Sequence, residues 1–211
     1  MANSHYDDQY FNWQKSIGEF GGWANKTKFA THISKDHVVM DFGCGGGYLL
    51  KNFECKKKLG VEINPAAAET ARKNGLEVYN QVVEVADNFV DVIISNNALE
   101  HTHHPLDELK NLYQKLKTGG KIVFVVPCEN ISSKYKPDDI NQHLYSWSPM
   151  NIGNLFTLAG FKVIESSPYI HKWPPFYILF ARLGRKIFDF VCKIYGRYER
   201  TWFQVLVVAE K

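Results

Sequence analysis

The run Val38-Val39-Met40-Asp41-Phe42, followed at once by Gly43-Cys44-Gly45-Gly46-Gly47, constrains the fold more than any other stretch of the chain. A short, nearly all-apolar segment reads as a strand covered on both faces. Glycines directly behind it mark a turn whose backbone comes close to something a Cβ would strike. Tyr48–Phe53 then reads as a helix, whose free N–H groups and positive dipole end would face that turn.

The same alternation continues along the chain. Residues 6–33 are aromatic and polar with weak helical periodicity, which predicts one or two helices ahead of the sheet. Lys58–Ile63 reads as a second strand, and Pro65 opens a helix that Gly75 closes. Leu76–Tyr79 and Val90–Ser95 follow as strands. Pro105–Lys117 carries Leu106, Leu109, Leu112, Tyr113 and Leu116 at helical spacing, and Gly119-Gly120 ends it. Lys121–Val126 is a further strand, Ser148–Ala159 a helix, Phe161–Glu165 a strand and Trp202–Ala209 the last strand. The reading is α/β: a seven-stranded, mostly parallel sheet with helices on both faces and right-handed crossovers. With 211 residues and no internal repeat, the whole chain 1–211 reads as one domain. It has an N-terminal cap over 1–35 and a helical insertion over 171–200.

Composition excludes several classes. Apolar residues at 45% and charged residues at 22% rule out a disordered chain, and a net charge of +3 demands no polyanion, so nucleic acid is not an expected partner. Cys44, Cys55, Cys128 and Cys192 form no CxxC pair, which suits a reducing compartment. The opening MANSHYDDQYFNW lacks the regions of a secretory signal, and no apolar run is long enough to span a bilayer, so a cytoplasmic protein is expected.

What the glycine turn binds can be narrowed by charge. A P-loop is excluded because no Gly-Lys-Ser/Thr follows the turn. A dinucleotide is disfavoured because Asp41, just before the glycines, would face a pyrophosphate of like charge. An ammonium suits that carboxylate better, which points to a zwitterionic ligand with an amino-acid head. Glu62, at the end of the second strand, is placed to accept both hydroxyls of a ribose. Ile63 and the stretch Gln81 to Val83 would flank an adenine.

The segments VVMDFGCGGGYLL, LGVEINP, VDVIISNNALEHTHHPLDELKNLYQKLKTGGKIVFVVP and HLYSWSPMNIGNLFTLAGF resemble the successive motifs of Rossmann-like, class I S-adenosylmethionine-dependent methyltransferases. They are most similar to the small-molecule group that includes ubiquinone-type O-methyltransferases, over roughly residues 36–165. The resemblance implies that Asp41, Gly43, Cys44, Gly45 and Gly47 line the methionine end of the cofactor. It places Glu62 on the ribose, Ile63 on the adenine, and Asn96 to Leu99, with Asn97 and Leu99 foremost, beside the sulfonium and the acceptor pocket. Tyr10, Trp13 and Gln14 resemble an N-terminal cap over the cofactor. The loop NQVVEVADNF departs from the pattern, having no clear acidic residue for the adenine amino group; Asn80 or Gln81 stands in its place.

For the chemistry, methyl transfer needs alignment above all, and a base only when the acceptor, such as a hydroxyl, still carries its proton. His101, after the fourth strand, and His143, after the fifth, are the candidates. Glu100, His101 and His103 lack a third and fourth partner for a cation, so no metal is expected. Asn96-Asn97 does not match the Asn/Asp-Pro-Pro-Tyr motif of nucleobase amine methylation. The expected activity is methyl transfer to a small molecule, a hydroxyl foremost; the alternative is a catalytically silent protein acting as a partner or membrane-surface module.

Within the insertion, Phe176, Phe180, Leu183, Ile187, Phe190, Ile194 and Tyr198 fall on one helical face, and Arg182, Lys186, Lys193 and Arg197 gather on another. Such a helix can pack on the domain or a second subunit (monomer or homodimer), close over a hydrophobic or lipid-linked acceptor, or lie through 174–198 on a membrane surface. Gly184 and Gly196 predict a broken or mobile element.

Overall fold

The computed structural model describes residues 8–211 apart from Asp138, with side chains from Ile17 onward. Seven strands form one sheet in the order β3-β2-β1-β4-β5-β7-β6. They are β1 (Val38–Phe42), β2 (Lys57–Val61), β3 (Glu77–Tyr79), β4 (Val90–Asn96), β5 (Leu116–Glu129), β6 (Lys162–Tyr169) and β7 (Trp202–Glu210). Strands β1 to β5 pair in parallel, whereas β7 runs antiparallel between β5 and β6. Strand order reverses between β1 and β4. A crevice therefore opens beyond their carboxyl ends, the place where open α/β sheets bind ligands.

Alternation along the strands sends side chains to two cores. Met40, Ile93, Phe124 and Val207 meet Leu109 and Leu112 of α3 (Pro105–Lys115) and Ile152 and Phe156 of α4 (Pro149–Leu158). On the other face, Val39, Ile94 and Val123 pack with Phe29, Leu50 and Ala71 of α2 (Pro65–Lys73). Local chemistry explains the helix ends. The Asn64 side chain accepts from the N–H groups of Ala66 and Ala67, and Ser148 forms a capping box with Asn151. Gly75 leaves α2 at φ +88°, a backbone that glycine adopts without strain.

Two expected helices change. Tyr48–Phe53 is no helix, but a turn with a short 3-10 segment at Leu50–Asn52. Its positive dipole end is therefore not available to a ligand. The stretch before β2 leaves room for little more, and Phe53 must swing out in extended conformation to reach the core. The helix expected over Pro105–Lys117 stops at Lys115, because Leu116 already turns extended and pairs with Val90 to begin β5.

The N-terminal segment is α1 (Asp8–Asn25), followed by a 3-10 turn, Lys26–Lys28. The insertion between β6 and β7 folds as α5 (Tyr177–Arg182) and α6 (Arg185–Tyr198). Gly184, at φ +100°, breaks the two apart as expected. Gly196 does not break α6: it is buried, and a Cβ there would sit 2.9 Å from Ile170 Cγ2. The face that packs differs from the expected one. Phe188, Cys192 and Gly196 are buried, and Phe188 and Cys192 join Ala24, Phe20, Trp23, Trp173 and Tyr177 in a satellite core against α1. Of the stripe drawn from periodicity, Phe180 alone joins this cluster.

Candidate active site

Two clefts meet at the switch point. The larger, of 660 Å³, is lined by Asp41, Gly43, Cys44, Asn96, His143 and Gln204, among others. The smaller, of 520 Å³, is lined by Glu62, Ile63, Asn80, Gln81, Val83 and Thr102, among others. Gly43, Gly45, Asn97 and His101 border both, so a ligand lying across this neck would touch the two together.

The glycine turn is shaped by contact as well as by dihedral angle. Gly43 has φ +70°, and a Cβ there would lie 2.4 Å from Ala98 Cβ. Gly45 N donates to Glu62 Oε2 at 2.8 Å, while Glu62 Oε1 accepts from Asn64 N at 2.8 Å. One carboxylate thus ties the turn to the end of β2 and faces the smaller cleft. Burial raises the pKa of Glu62, and these backbone donors counter the rise. Asp41 is 2% exposed, and burial followed by the nearby Glu62 charge pushes its carboxyl up to about 8. A buried acid of this kind, lining a cleft, is relieved by a cationic group placed next to it. Asp41 and the glycine turn thus line the larger cleft, whereas Glu62 and the exposed Ile63 line the smaller one.

Several expected contacts fall elsewhere. Leu99 is fully buried in the core beneath the neck and lines neither cleft. Gly47 also stays outside both; its φ of +73° and close approach to Ala71 fix the packing of the turn on α2. The Cys44 side chain turns into the core, where its Sγ fills the space beside Gly60, so its backbone alone serves the cleft. Tyr10, Trp13 and Gln14 belong to α1, but their side chains lie outside the described residues.

Beyond the neck, the two histidines converge. The rings of His101 and His143 lie 5.0 Å apart, edge to face. His143 Nδ1 is 2.7 Å from Glu129 Oε1, and its Nε2 is 4.0 Å from Glu100 Oε1. Glu100 is fully buried, neither of its oxygens has a hydrogen-bond partner among the described residues, and burial pushes its carboxyl up to about 8. Donor atoms of Glu100, His101 and His143 fall within 4.8 Å of one another. His103, weighed with Glu100 and His101 in the sequence, is not one of the three. His143 takes its place, because Leu144 N bonds Glu100 O and draws the loop after β5 onto the 3-10 turn Leu99–His101.

The far wall of the larger cleft has no signal in the sequence. Lys28 Nζ donates to Asn96 Oδ1 at 2.8 Å and Gln204 Oε1 at 3.0 Å, and burial lowers its pKa to about 7. Gln204 Nε2 in turn donates to Asn97 Oδ1 at 3.1 Å. Asn97 sits at φ +57°, a strained backbone that asparagine tolerates better than most residues and that recurs at functional sites. His171, Lys172, Trp173 and Trp202 complete this wall.

A family model described as a methyltransferase domain matches residues 15–166. The ubiquinone biosynthesis O-methyltransferase of Nitrosococcus oceani is 28% identical over 130 residues, covering 53% of this chain and 55% of that protein. The chain thus spans about half the length of this curated relative. Among solved structures, a chain of the complex between the Haloferax volcanii Trm112 methyltransferase activator and a methyltransferase superposes with a TM-score of 0.73. The two are 20% identical, over 97% of this chain and 98% of that one. A SAM-dependent methyltransferase from Archaeoglobus fulgidus gives a TM-score of 0.68 at 18% identity, over 97% of this chain and 100% of that one. The family match, together with a sheet order and glycine turn that open the right crevice, places this chain in the family of S-adenosylmethionine-dependent methyltransferases.

Proposed function

We propose that the chain transfers a methyl group from S-adenosylmethionine to the hydroxyl of a small molecule, with His143 taking the hydroxyl proton. The observation carrying this reading is the Glu129–His143 pair on the wall of the larger cleft, its nitrogen and oxygen 2.7 Å apart. A carboxylate accepts, so Nδ1 carries the ring proton and Nε2 keeps its lone pair. Glu129 thereby orients the ring and stabilises the imidazolium that proton uptake creates. The cofactor, when bound, supplies an electrophilic methyl group. The chain's residues align it: Asp41, the glycine turn and Glu62 fix the two ends of the ligand, and Asn97 and His101 border the neck between them. Lys28, Asn96 and Gln204 shape the opposite wall, where the acceptor would lie.

Methyl-labelled cofactor offered with panels of phenols, polyols and amines tests the assignment. Labelled O-methyl products are expected. His143→Ala should lower kcat by about 10²–10⁴-fold while leaving S-adenosylhomocysteine affinity unchanged. N-methyl products alone, or a His143→Ala enzyme of undiminished rate, would refute the hydroxyl and base assignments.

A further inference from the structure

We propose that the exposed face of α5 and α6 docks on an anionic lipid surface and presents the mouth of the acceptor cleft to it. This rests on the methyltransferase reading only for what the cleft does, not for the docking itself.

The insertion carries two apolar stripes where one would suffice to hold it. The inner stripe, centred on Phe188 and Cys192, packs on α1. The outer stripe faces solvent: Leu183 is 63% exposed, Phe190 64% and Tyr198 83%, with Ile178, Leu179, Ile187 and Ile194 also open. Large apolar side chains repeating along one helical face in water mark a contact surface. The segment is nevertheless held firmly, because Arg185 donates to Trp23 O at 2.7 Å and stacks on the Trp23 ring. The outer stripe is thus a fixed feature of the surface.

Charge identifies the occupant. Arg182, Lys186, Lys193, Arg197 and Arg200 are exposed, and among the described residues none of them pairs with a carboxylate. The segment's two acids point elsewhere: Asp189 bonds the buried His171 at 2.9 Å, and Glu199 pairs with Lys172. A surface with unpaired cations beside an apolar stripe complements anionic headgroups over acyl chains. A second copy of the chain fits less well, since isologous contact would set these cations against their own repeats. The face is also continuous with the cleft: Trp173 lines the cleft wall, and Phe176, three residues on, is 79% exposed at the start of the stripe. An acceptor held in the lipid surface would meet the cleft without crossing bulk water.

Flotation of the full chain with phosphatidylcholine vesicles, with and without phosphatidylglycerol, tests the proposal. Flotation is expected only with the anionic lipid, and each of Lys186→Gln, Lys193→Gln and Arg197→Gln should weaken it by roughly fivefold at low salt. Ile187→Asp with Phe190→Asp should abolish it. Each variant should bind S-adenosylhomocysteine as the wild type does, which shows it folded and keeps the docking test separate from the cofactor assignment. Wild-type protein that stays unbound with both vesicle types would overturn the proposal. So would flotation that these substitutions leave unchanged, or light scattering showing a dimer that they dissociate without any flotation.

Discussion

Asp41 allows the cofactor assignment to be tested through protons. With its carboxyl near 8, Asp41 is mostly protonated at pH 7 in the ligand-free protein. An ammonium beside it requires the ionised form, so binding near neutrality must expel a proton. One pKa unit corresponds to about 1.4 kcal/mol, so the dissociation constant of S-adenosylhomocysteine should fall roughly fifty-fold between pH 6 and pH 8 and then level off. Calorimetry in two buffers of different ionisation enthalpy should count about 0.9 proton released at pH 7. Glu62 is the other acid facing this corner, and its raised pKa acts in the same direction. Asp41→Asn separates the two: it should weaken binding at pH 8 by about 10–100-fold, as for loss of a charged hydrogen bond, and remove most of the pH slope. In the ligand-free protein the sign for stability is negative. The folded state holds the Asp41 proton from about pH 4 to 8 while the unfolded chain has lost it, so stability falls as pH rises through that window. Affinity that is flat from pH 6 to 8, or an Asp41→Asn protein with the full slope, would refute the pairing of this carboxylate with a cationic head.

The remaining predictions probe the turn, the wall and the insertion. Gly43→Ala must hold a left-handed backbone and push against Ala98, so it should lose about 1–3 kcal/mol in urea denaturation and bind S-adenosylhomocysteine more weakly. Unchanged stability and affinity would show that the turn can relax. Lys28 has a lowered folded pKa, so wild-type stability should rise with pH between about 7 and 10, where the unfolded chain binds the extra proton. Lys28→Met should lack that rise in pH-dependent denaturation, and a slope equal to wild type would count against the lowered pKa of Lys28. Phe188→Ala should cost about 3–5 kcal/mol of local packing, seen as faster hydrogen exchange over 177–198 with β1 and β4 still protected. Uniform loss of protection would show that the insertion is part of the main core.

What could be read from the sequence was local. The strand, the glycine turn and Glu62 lie close together in the chain, and each carries a residue type that few other arrangements require. The helix ends at Asn64-Pro65, Gly75 and Ser148-Pro149 announce themselves through side-chain acceptors, fixed φ and left-handed backbone. Tyr48–Phe53 misleads because its composition is compatible with a helix, whereas its length is limited by where β2 must begin. Leu99 and Gly47 sit in motif positions, yet only packing decides whether such a residue faces a ligand or the core. The insertion misleads for a related reason. Periodicity finds the broader apolar stripe, but α1 selects the narrower one around Phe188 and Cys192, while Gly196 lets α6 come close to Ile170 and Lys172.

The wall built by Lys28 and Gln204 was illegible because topology, not sequence proximity, assembles it. Lys28 and Gln204 are 176 residues apart, and they meet because β7 enters antiparallel beside β5, which sets Gln204 opposite Pro127. The same strand order makes the insertion the connection of an antiparallel β6–β7 pair, so both of its ends return to one place. His171, Lys172 and Trp173 leave β6 at the cleft, and Trp202, Phe203 and Gln204 re-enter there on β7. Whatever the outer face of α5 and α6 touches is therefore held a few residues from the wall where the acceptor would lie. A change of partner on that face reaches the cleft by two routes: along the chain through Trp173 and Trp202, and across the packing on α1, whose Gly22 abuts Tyr48 beside the glycine turn. Surface contact through the insertion should accordingly alter acceptor use.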